Sequence, residues 1–360
     1  MPEPLPVLMS GVRLIRHGGP EALVWSDEIP VPRPGPGEAL VRVLAAGVNN
    51  TDINTRIGWY AKAVTGSTED AAGGSAAEDG GWAGALSFPR IQGGDLCGEV
   101  VALGAEAEGP PLGARVICPI NLPEPTPDAP TGFRALGSEL DGAFAQFCVV
   151  PARHLHDVTA SPLSDVELAA MPCAYGTAWN LLSRAGVAPG ERVLITGASG
   201  GVGLAAVQLA CHLGAHVTAL AGGAKQAAVR EAGADDVLAR DAVLPPRAFD
   251  AAIDVVGGPR WGGVIEALAP GGRYAVSGAI AGPVVEADLR TIYLNDLTLF
   301  GCTFQPAEVF ARLVGIINAG LIRPLVARIY PLREIAAAQA DFAAKRFAGK
   351  LVLLPPEVHP

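Results

Sequence analysis

Two stretches of the chain concentrate groups able to do chemistry. In RVLITGASGGVGLAAVQLA, Gly197, Gly200, Gly201 and Gly203 lie between an apolar strand pattern and an apolar helix pattern. Glycines there permit a tight turn, and the free N–H groups of a helix start attract a pyrophosphate. The strict GxGxxG pattern is not met, because Ala198 stands at its first glycine, so a ligand-free turn is the competing reading. The next strand pattern, HVTALA, ends in Gly222-Gly223-Ala224-Lys225, where a site for NAD would carry an acid for the ribose 2′-hydroxyl; the next acid is Glu231. Lys225, with Arg240 after DDVLAR, could instead pair with a 2′-phosphate, which favours NADPH over NADH. A solvated surface charge is the alternative for each cation. The second stretch is VNNTDINTRIGWY, ending at Tyr60. It gathers amides, threonines, an aspartate, an arginine and a tyrosine at the mouth of an apolar strand-like run, Ala39–Gly47.

These residues need elements to hold them. Residues 5–55 read as short strands broken by proline and glycine, as in PVPRPGPGEALVRV. Residues 61–87 are low in complexity and read as a long mobile loop with Trp82 as its large apolar anchor, and residues 120–139 as a proline-rich excursion. The texture changes near residue 160. Ser164 with Glu167 three positions on has the spacing of a capping box. Strand and helix patterns then alternate through RVLITG, VGLAAVQLACHLG, HVTALA, AAVREAG, AAIDVVG, GVIEALAP and RYAVSG, which predicts βαβ units and a parallel, doubly wound sheet. A helix pattern, AEVFARLVGIINAG, follows, and the tail reads as a helix ending in a strand, GKLVLLP.

Composition narrows the class. A length of 360 residues suits two domains, and 50% hydrophobic with 17% charged residues excludes a disordered chain. A formal net charge of −10 argues against general binding of nucleic acid or anionic membrane. The six cysteines stand singly without CxxC, as expected of reduced thiols in a cytoplasmic protein, and no export signal is visible at the N-terminus. Val193–Ala224 runs for 32 residues without Asp, Glu, Lys or Arg. Its seven glycines, Gln208, His212 and His216 fit buried parallel strands rather than a membrane span.

The segments GPGEALVRVLAAGVNNTD, GGDLCGEVVALG, GARV, DGAFAQF, AYGTAWNLL, PGERVLITGASGGVG, PGGRYAVSG and GKLVLLP occur in an order and spacing that resemble the medium-chain dehydrogenase/reductase superfamily, in its zinc-independent quinone oxidoreductase and enoyl reductase branch. The resemblance spans nearly the whole chain. It implies an α/β protein with a GroES-like β-rich catalytic domain, residues 1–158 and 304–360, enclosing a Rossmann NADPH-binding domain, residues 159–303, with the active site in the cleft. Zinc alcohol dehydrogenases of this superfamily carry a cysteine in the segment that is Gly47–Asp52 here and GHE where this chain has Gly93-Gly94-Asp95. Cys173 alone matches a ligand position, and neither an amide nor a glycine replaces thiolate or imidazole, so no catalytic metal is expected.

Without zinc, the polar strand mouth must bind and polarise the substrate. VNNTDINTRIGWY is similar to the corresponding segment of 2-enoyl thioester reductases, which implies Asn49 beside the nicotinamide and Tyr60 as proton donor or oxyanion partner. The competing reading has Asn49 and Asn50 capping a turn and Tyr60 packing against the loop. The same resemblance implies that Thr177, Ser199, Gly200, Gly201, Val202, Gly203, Ser277, Gly278, Ala279, Cys302, Thr303 and Phe304 line the cofactor groove. It further implies a homodimer paired through a strand-like edge at Tyr293–Gly301. The expected activity is NADPH-dependent reduction of a quinone or of a C=C bond conjugated to a carbonyl in a small-molecule substrate. Direct carbonyl or imine reduction is one alternative, and a non-catalytic NADPH-binding protein like the lens crystallin members is another.

Overall fold

A computed structural model describes residues 5–68, 82 and 86–358. Its described residues fall into two compact units. One draws on Met1–Val64, Ala72–Cys173 and Pro306–Pro360, the other on Thr65–Ala71 and Ala174–Gln305.

The first unit is built on a sheet in the order Val326–Pro331, Lys350–Leu354, Glu38–Val48, Asp95–Leu103, Arg115–Ile117 and His156–Asp157, with Phe147–Pro151 also paired to Glu38–Val48. The long central strand contributes Leu40, Val41, Val43 and Val48 to a core with Val100, Phe144, Phe147 and Leu353. Register decides what meets at its C-terminal mouth. Leu351 lies opposite Val48 on one side, and Asp95 lies opposite Gly47 on the other. Lys350, Asn49 and Asp95 are thereby brought together from three distant parts of the chain. Gly47 permits this closeness, since a Cβ there would lie 2.4 Å from an Asp95 carboxylate oxygen and 2.5 Å from the Ala169 carbonyl.

The second unit carries a six-stranded parallel sheet in the order Asp236–Ala239, His216–Ala221, Arg192–Ile195, Phe249–Asp254, Leu268–Val276 and Thr298–Gly301. Numbered along the chain this is 3-2-1-4-5-6, the Rossmann order, whose direction reverses between Arg192–Ile195 and Phe249–Asp254. Its sheet buries Leu194, Leu220, Ala252 and Phe249 with Trp261, Ile265 and Tyr274. The architecture is thus the expected one, a GroES-like β-rich unit and a Rossmann unit.

Two boundaries differ from the sequence reading. The units divide at Cys173 and at Gln305, later than residues 158 and 303. The guanidinium of Arg115 donates to the carbonyls of Val158, Ser161 and Leu163 and to Asp165, which ties that segment to the first unit. Asn180 Nδ2 donates to Phe304 O and Gln305 Nε2 to Gly176 O, which keeps Phe304 and Gln305 with the second. The edge segment also differs. Tyr293 ends a short helix, Leu289–Tyr293, and only Thr298–Gly301 is strand, because Asp296 at φ 50° breaks the extended run. The capping box at Ser164 is present, with Glu167 Oε2 accepting from Ser164 N at 2.8 Å and Ser164 Oγ from Glu167 N at 3.3 Å. Most of the low-complexity stretch, residues 69–81 and 83–85, lies outside the described residues. Among the described residues no helix is long and apolar enough to cross a membrane.

Candidate active site and nucleotide cradle

At the strand mouth of the first unit, the polar run after Val48 forms a helix, Asn50–Ile57. Asn49 caps it, the Asp52 carboxylate accepts from the Asn49 N–H at 2.8 Å, and Gly58 ends it in the left-handed region at φ 72°. The Asn-x-x-Asp spacing is a capping-box signal, so this helix was within reach of the sequence. Asn49 is 5% exposed, and its amide is engaged on both sides. Nδ2 donates to Asp95 Oδ2 at 2.9 Å, and Oδ1 accepts from the Lys350 ammonium. Lys350 Nζ also donates to Asp95 Oδ2 at 2.8 Å and to Val48 O at 3.0 Å, while Asp95 Oδ1 accepts from Cys173 N at 2.6 Å. Burial, opposed by the hydrogen bond from Asn49 and the charge of Lys350 and reinforced by the charge of Asp95, pushes the Asp52 carboxyl up to about 7. Sequence reasoning missed Asp52, Asp95 and Lys350, because no spacing joins positions 52, 95 and 350.

Tyr60 follows the helix and is partly buried. Burial pushes its phenol up to about 12, and hydrogen bonds from the Thr51 and Asn54 side chains oppose that rise. Thr51 and Asn54 are three apart and share one helix face. The phenol is therefore protonated at neutral pH and available as a hydrogen-bond donor. Its ring is nearly parallel to Trp82, with centroids 6.0 Å apart, and Trp82 meets Phe133 edge-on at 5.9 Å. Tyr60 thus packs against Trp82 and keeps a protonated hydroxyl close to the helix.

A zinc ion does not fit the residues present. A Cβ on Gly94 would lie 2.1 Å from Ile120 Cδ1, so any side chain there would first have to displace Ile120. The Asn49 amide is held by a carboxylate and an ammonium, and a dication would face Lys350. Among the described residues, no group of three or more His, Cys, Asp or Glu could hold a metal ion.

The second unit carries the glycine turn. Arg192–Ile195 leads through Gly197 at φ 57° to the helix Gly201–His212, whose N-cap is Gly200. Ser199, Gly200, Gly201 and Val202 are at least partly exposed at that helix start, and Gly203 is buried beneath them. A Cβ on Gly203 would lie 2.2 Å from Gly197 O, so the turn closes only on glycine. Buried Asp254, at the end of the neighbouring strand, accepts from Thr196 Oγ1 at 2.5 Å, Tyr274 Oη at 2.7 Å and Val256 N at 2.8 Å. This network anchors the strand ends on either side of the glycine turn. Ser277, Gly278 and Ala279 follow the Leu268–Val276 strand, and Cys302, Thr303 and Phe304 follow Thr298–Gly301, all at C-terminal strand ends. Thr177 is partly buried in the helix Pro172–Ala185. Beyond the second strand, a pocket of about 410 Å³ is lined by Gly222, Gly223, Ala239, Arg240, Asp241 and Arg260. Two guanidinium groups against one carboxylate leave it net positive. Lys225, in the short turn Gly223–Lys225, is not among its lining residues, and Arg260 stands there with Arg240. Arg260, in GGPRW, gave no sequence signal because it follows the fourth strand rather than the second. The glycine cradle and this cationic pocket fit a dinucleotide with a phosphorylated ribose.

Comparison with known proteins adds the relatives. The alcohol dehydrogenase GroES-like domain family matches residues 35–160, and the zinc-binding dehydrogenase family matches residues 201–319. Quinone oxidoreductase of Homo sapiens is 27% identical over 96% of this chain and 98% of its own length. Acryloyl-coenzyme A reductase of Metallosphaera sedula is 28% identical over 91% of this chain and 95% of its own. A crystal structure from Sinorhizobium meliloti 1021, provisionally assigned as an alcohol dehydrogenase, is 42% identical with a TM-score of 0.86 and covers 98% of both chains. An NAD-dependent alcohol dehydrogenase is 29% identical with a TM-score of 0.82, covering 96% of this chain and 99% of its own. The crotonyl-CoA carboxylase/reductase AntE, solved in complex with NADP, is 25% identical with a TM-score of 0.82, covering 98% of this chain and 95% of its own.

Proposed function

Since the chain belongs to the medium-chain dehydrogenase/reductase superfamily, in its quinone oxidoreductase and enoyl reductase branch, and is an oxidoreductase with a nicotinamide cofactor, we propose that it uses NADPH to reduce a quinone or a C=C bond conjugated to a carbonyl, without zinc. The observation that carries the reading is the Tyr60 phenol, kept protonated by burial and placed just after the Asn50–Ile57 helix, with its ring stacked on Trp82.

The bound cofactor supplies the hydride. The work of the chain is orientation, charge stabilisation and proton delivery. As negative charge grows on the carbonyl oxygen of an enone, the Tyr60 O–H donates to it, and the same proton can pass to the enolate, leaving a phenolate that water reprotonates. Thr51 and Asn54, which favour the ionised phenol, ease that transfer. The case for NADPH rests on Arg240 and Arg260 and on the absence of an acid at the end of HVTALA.

Tyr60→Phe removes one hydroxyl and leaves the ring. With an enone, kcat should fall by roughly ten- to a thousand-fold while NADPH affinity holds. With a quinone the fall should be smaller, because both product oxygens can take protons from water. Unchanged kcat on every good substrate removes Tyr60 from the mechanism. A large drop in melting temperature instead assigns the hydroxyl a structural role. Similarity to an NAD-dependent alcohol dehydrogenase supports a second reading, direct carbonyl reduction. Product analysis separates the two, since a saturated carbonyl compound and an unsaturated alcohol differ.

A further inference from the structure

Lys350 takes no part in the reaction above, yet its side chain is 3% exposed and carries a buried charge. An ammonium has three N–H donors. Here they meet three acceptors, Val48 O, Asp95 Oδ2 and Asn49 Oδ1. No hydrogen is left for a substrate, so Lys350 is not a proton donor. What the three bonds do is fix Asn49. With an ammonium at Oδ1 and a carboxylate at Nδ2, the amide has one permitted orientation, since its flip would set donor against donor and acceptor against acceptor. Asn49 begins the helix Asn50–Ile57, and the backbone that ends this helix leads directly into Tyr60, with Trp59 N donating to Asn54 O at 2.8 Å. A rotation of the helix would therefore carry the phenol with it. Retaining a buried ion pair where apolar residues would pack as well is best understood when the pair fixes a geometry.

We propose that Lys350 is a positioning residue for the reaction: through Asp95 and the Asn49 amide it sets the rotation of the Asn50–Ile57 helix and so aims the Tyr60 hydroxyl. The proposal rests on the reading of Tyr60 as donor for its catalytic consequence, but not for its structural one, and the two are separable by experiment. The intact protein is labelled with 3-fluorotyrosine; its five tyrosines give five fluorine resonances, and Tyr60→Phe assigns the one from Tyr60. In Lys350→Met that resonance should move while the others stay, NADPH affinity should hold within about two-fold, and kcat on an enone should fall about ten-fold or more. Adding Tyr60→Phe to Lys350→Met should then cost less than about three-fold further, because both changes remove one function. Should Lys350→Met fail to fold, Asp95→Asn/Lys350→Met removes both charges and keeps an oxygen for the Cys173 N–H, and the same readouts apply. An unmoved Tyr60 resonance, an unchanged kcat in a protein whose Tyr60→Phe variant is slow, or single-variant losses that multiply would overturn the proposal. Failure of both Lys350 variants to fold would also overturn it, in favour of a purely structural clamp. A moved resonance with normal kcat in Tyr60→Phe would sink the donor reading and leave the positioning intact.

Discussion

At the scale of residues, Asp52 has a measurable signature. Its carboxyl titrates near 7 in the fold, against roughly 3.9 in an unfolded chain. The native state therefore holds a proton that the unfolded state releases. That contribution to stability is complete below about pH 4 and is lost as pH rises through about 7. Urea midpoints of the wild type should carry a downward component between about pH 4 and 7. Asp52→Asn keeps an oxygen for the Asn49 N–H and should flatten it; parallel profiles for the two proteins would refute the assignment. The cationic pocket makes a second prediction. Arg240→Ala and Arg260→Ala should each weaken NADPH by about 1.5–3 kcal/mol, roughly ten- to a hundred-fold, and leave NADH almost unchanged. Equal losses for both cofactors in a fluorescence titration would remove the 2′-phosphate from that pocket. For the metal, the purified protein should contain no stoichiometric zinc, and chelators should leave activity unchanged. About one zinc per chain by elemental analysis would overturn this.

At the scale of elements, the glycine turn before Gly201–His212 has no slack. A methyl on Gly203 would press on Gly197 O at 2.2 Å and on Ala198 Cα at 2.5 Å. Gly203→Ala should therefore cost about 1–3 kcal/mol of stability and weaken either cofactor by a similar amount, since the N–H groups facing the pyrophosphate must shift. A calorimetric melt with a dinucleotide titration checks both, and an unperturbed variant would mean that the turn has an alternative closure. This element was legible in the sequence because a strand, a glycine turn and a helix are local patterns. The Asn50–Ile57 helix was not recognised, although its cap and its Gly58 stop are local too. Its polar composition gave no apolar stripe, and the helix is stabilised by its cap and by burial of Ile53 and Ile57.

At the scale of the molecule, the Rossmann sheet ends in an open edge. Among the described residues Thr298–Gly301 pairs only with Leu268–Val276, and Leu299, Tyr293 and Leu294 beside it are exposed. An uncovered apolar edge invites pairing, and a two-fold axis would close it. A homodimer is expected by light scattering at micromolar concentration, and Leu299→Lys should shift it toward monomer. A monomeric wild type would refute the expectation.

The sequence by itself determined the superfamily, the two architectures, the glycine cradle and the polar strand mouth, because each depends on residues close together in the chain or on the order of long segments. Three things were decided only by tertiary structure. The unit boundaries follow Arg115 reaching Val158, Ser161 and Leu163, and Gln305 reaching Gly176, bonds that no periodicity encodes. The cations that line the pocket are Arg240 and Arg260, because the loop after the fourth strand returns beside the second and third. The Asn49–Asp95–Lys350 cluster exists because two antiparallel registers, Leu351 opposite Val48 and Asp95 opposite Gly47, converge on one strand mouth. A shift of either register by one residue would turn the charge to the other face of the sheet, where apolar packing would reject it.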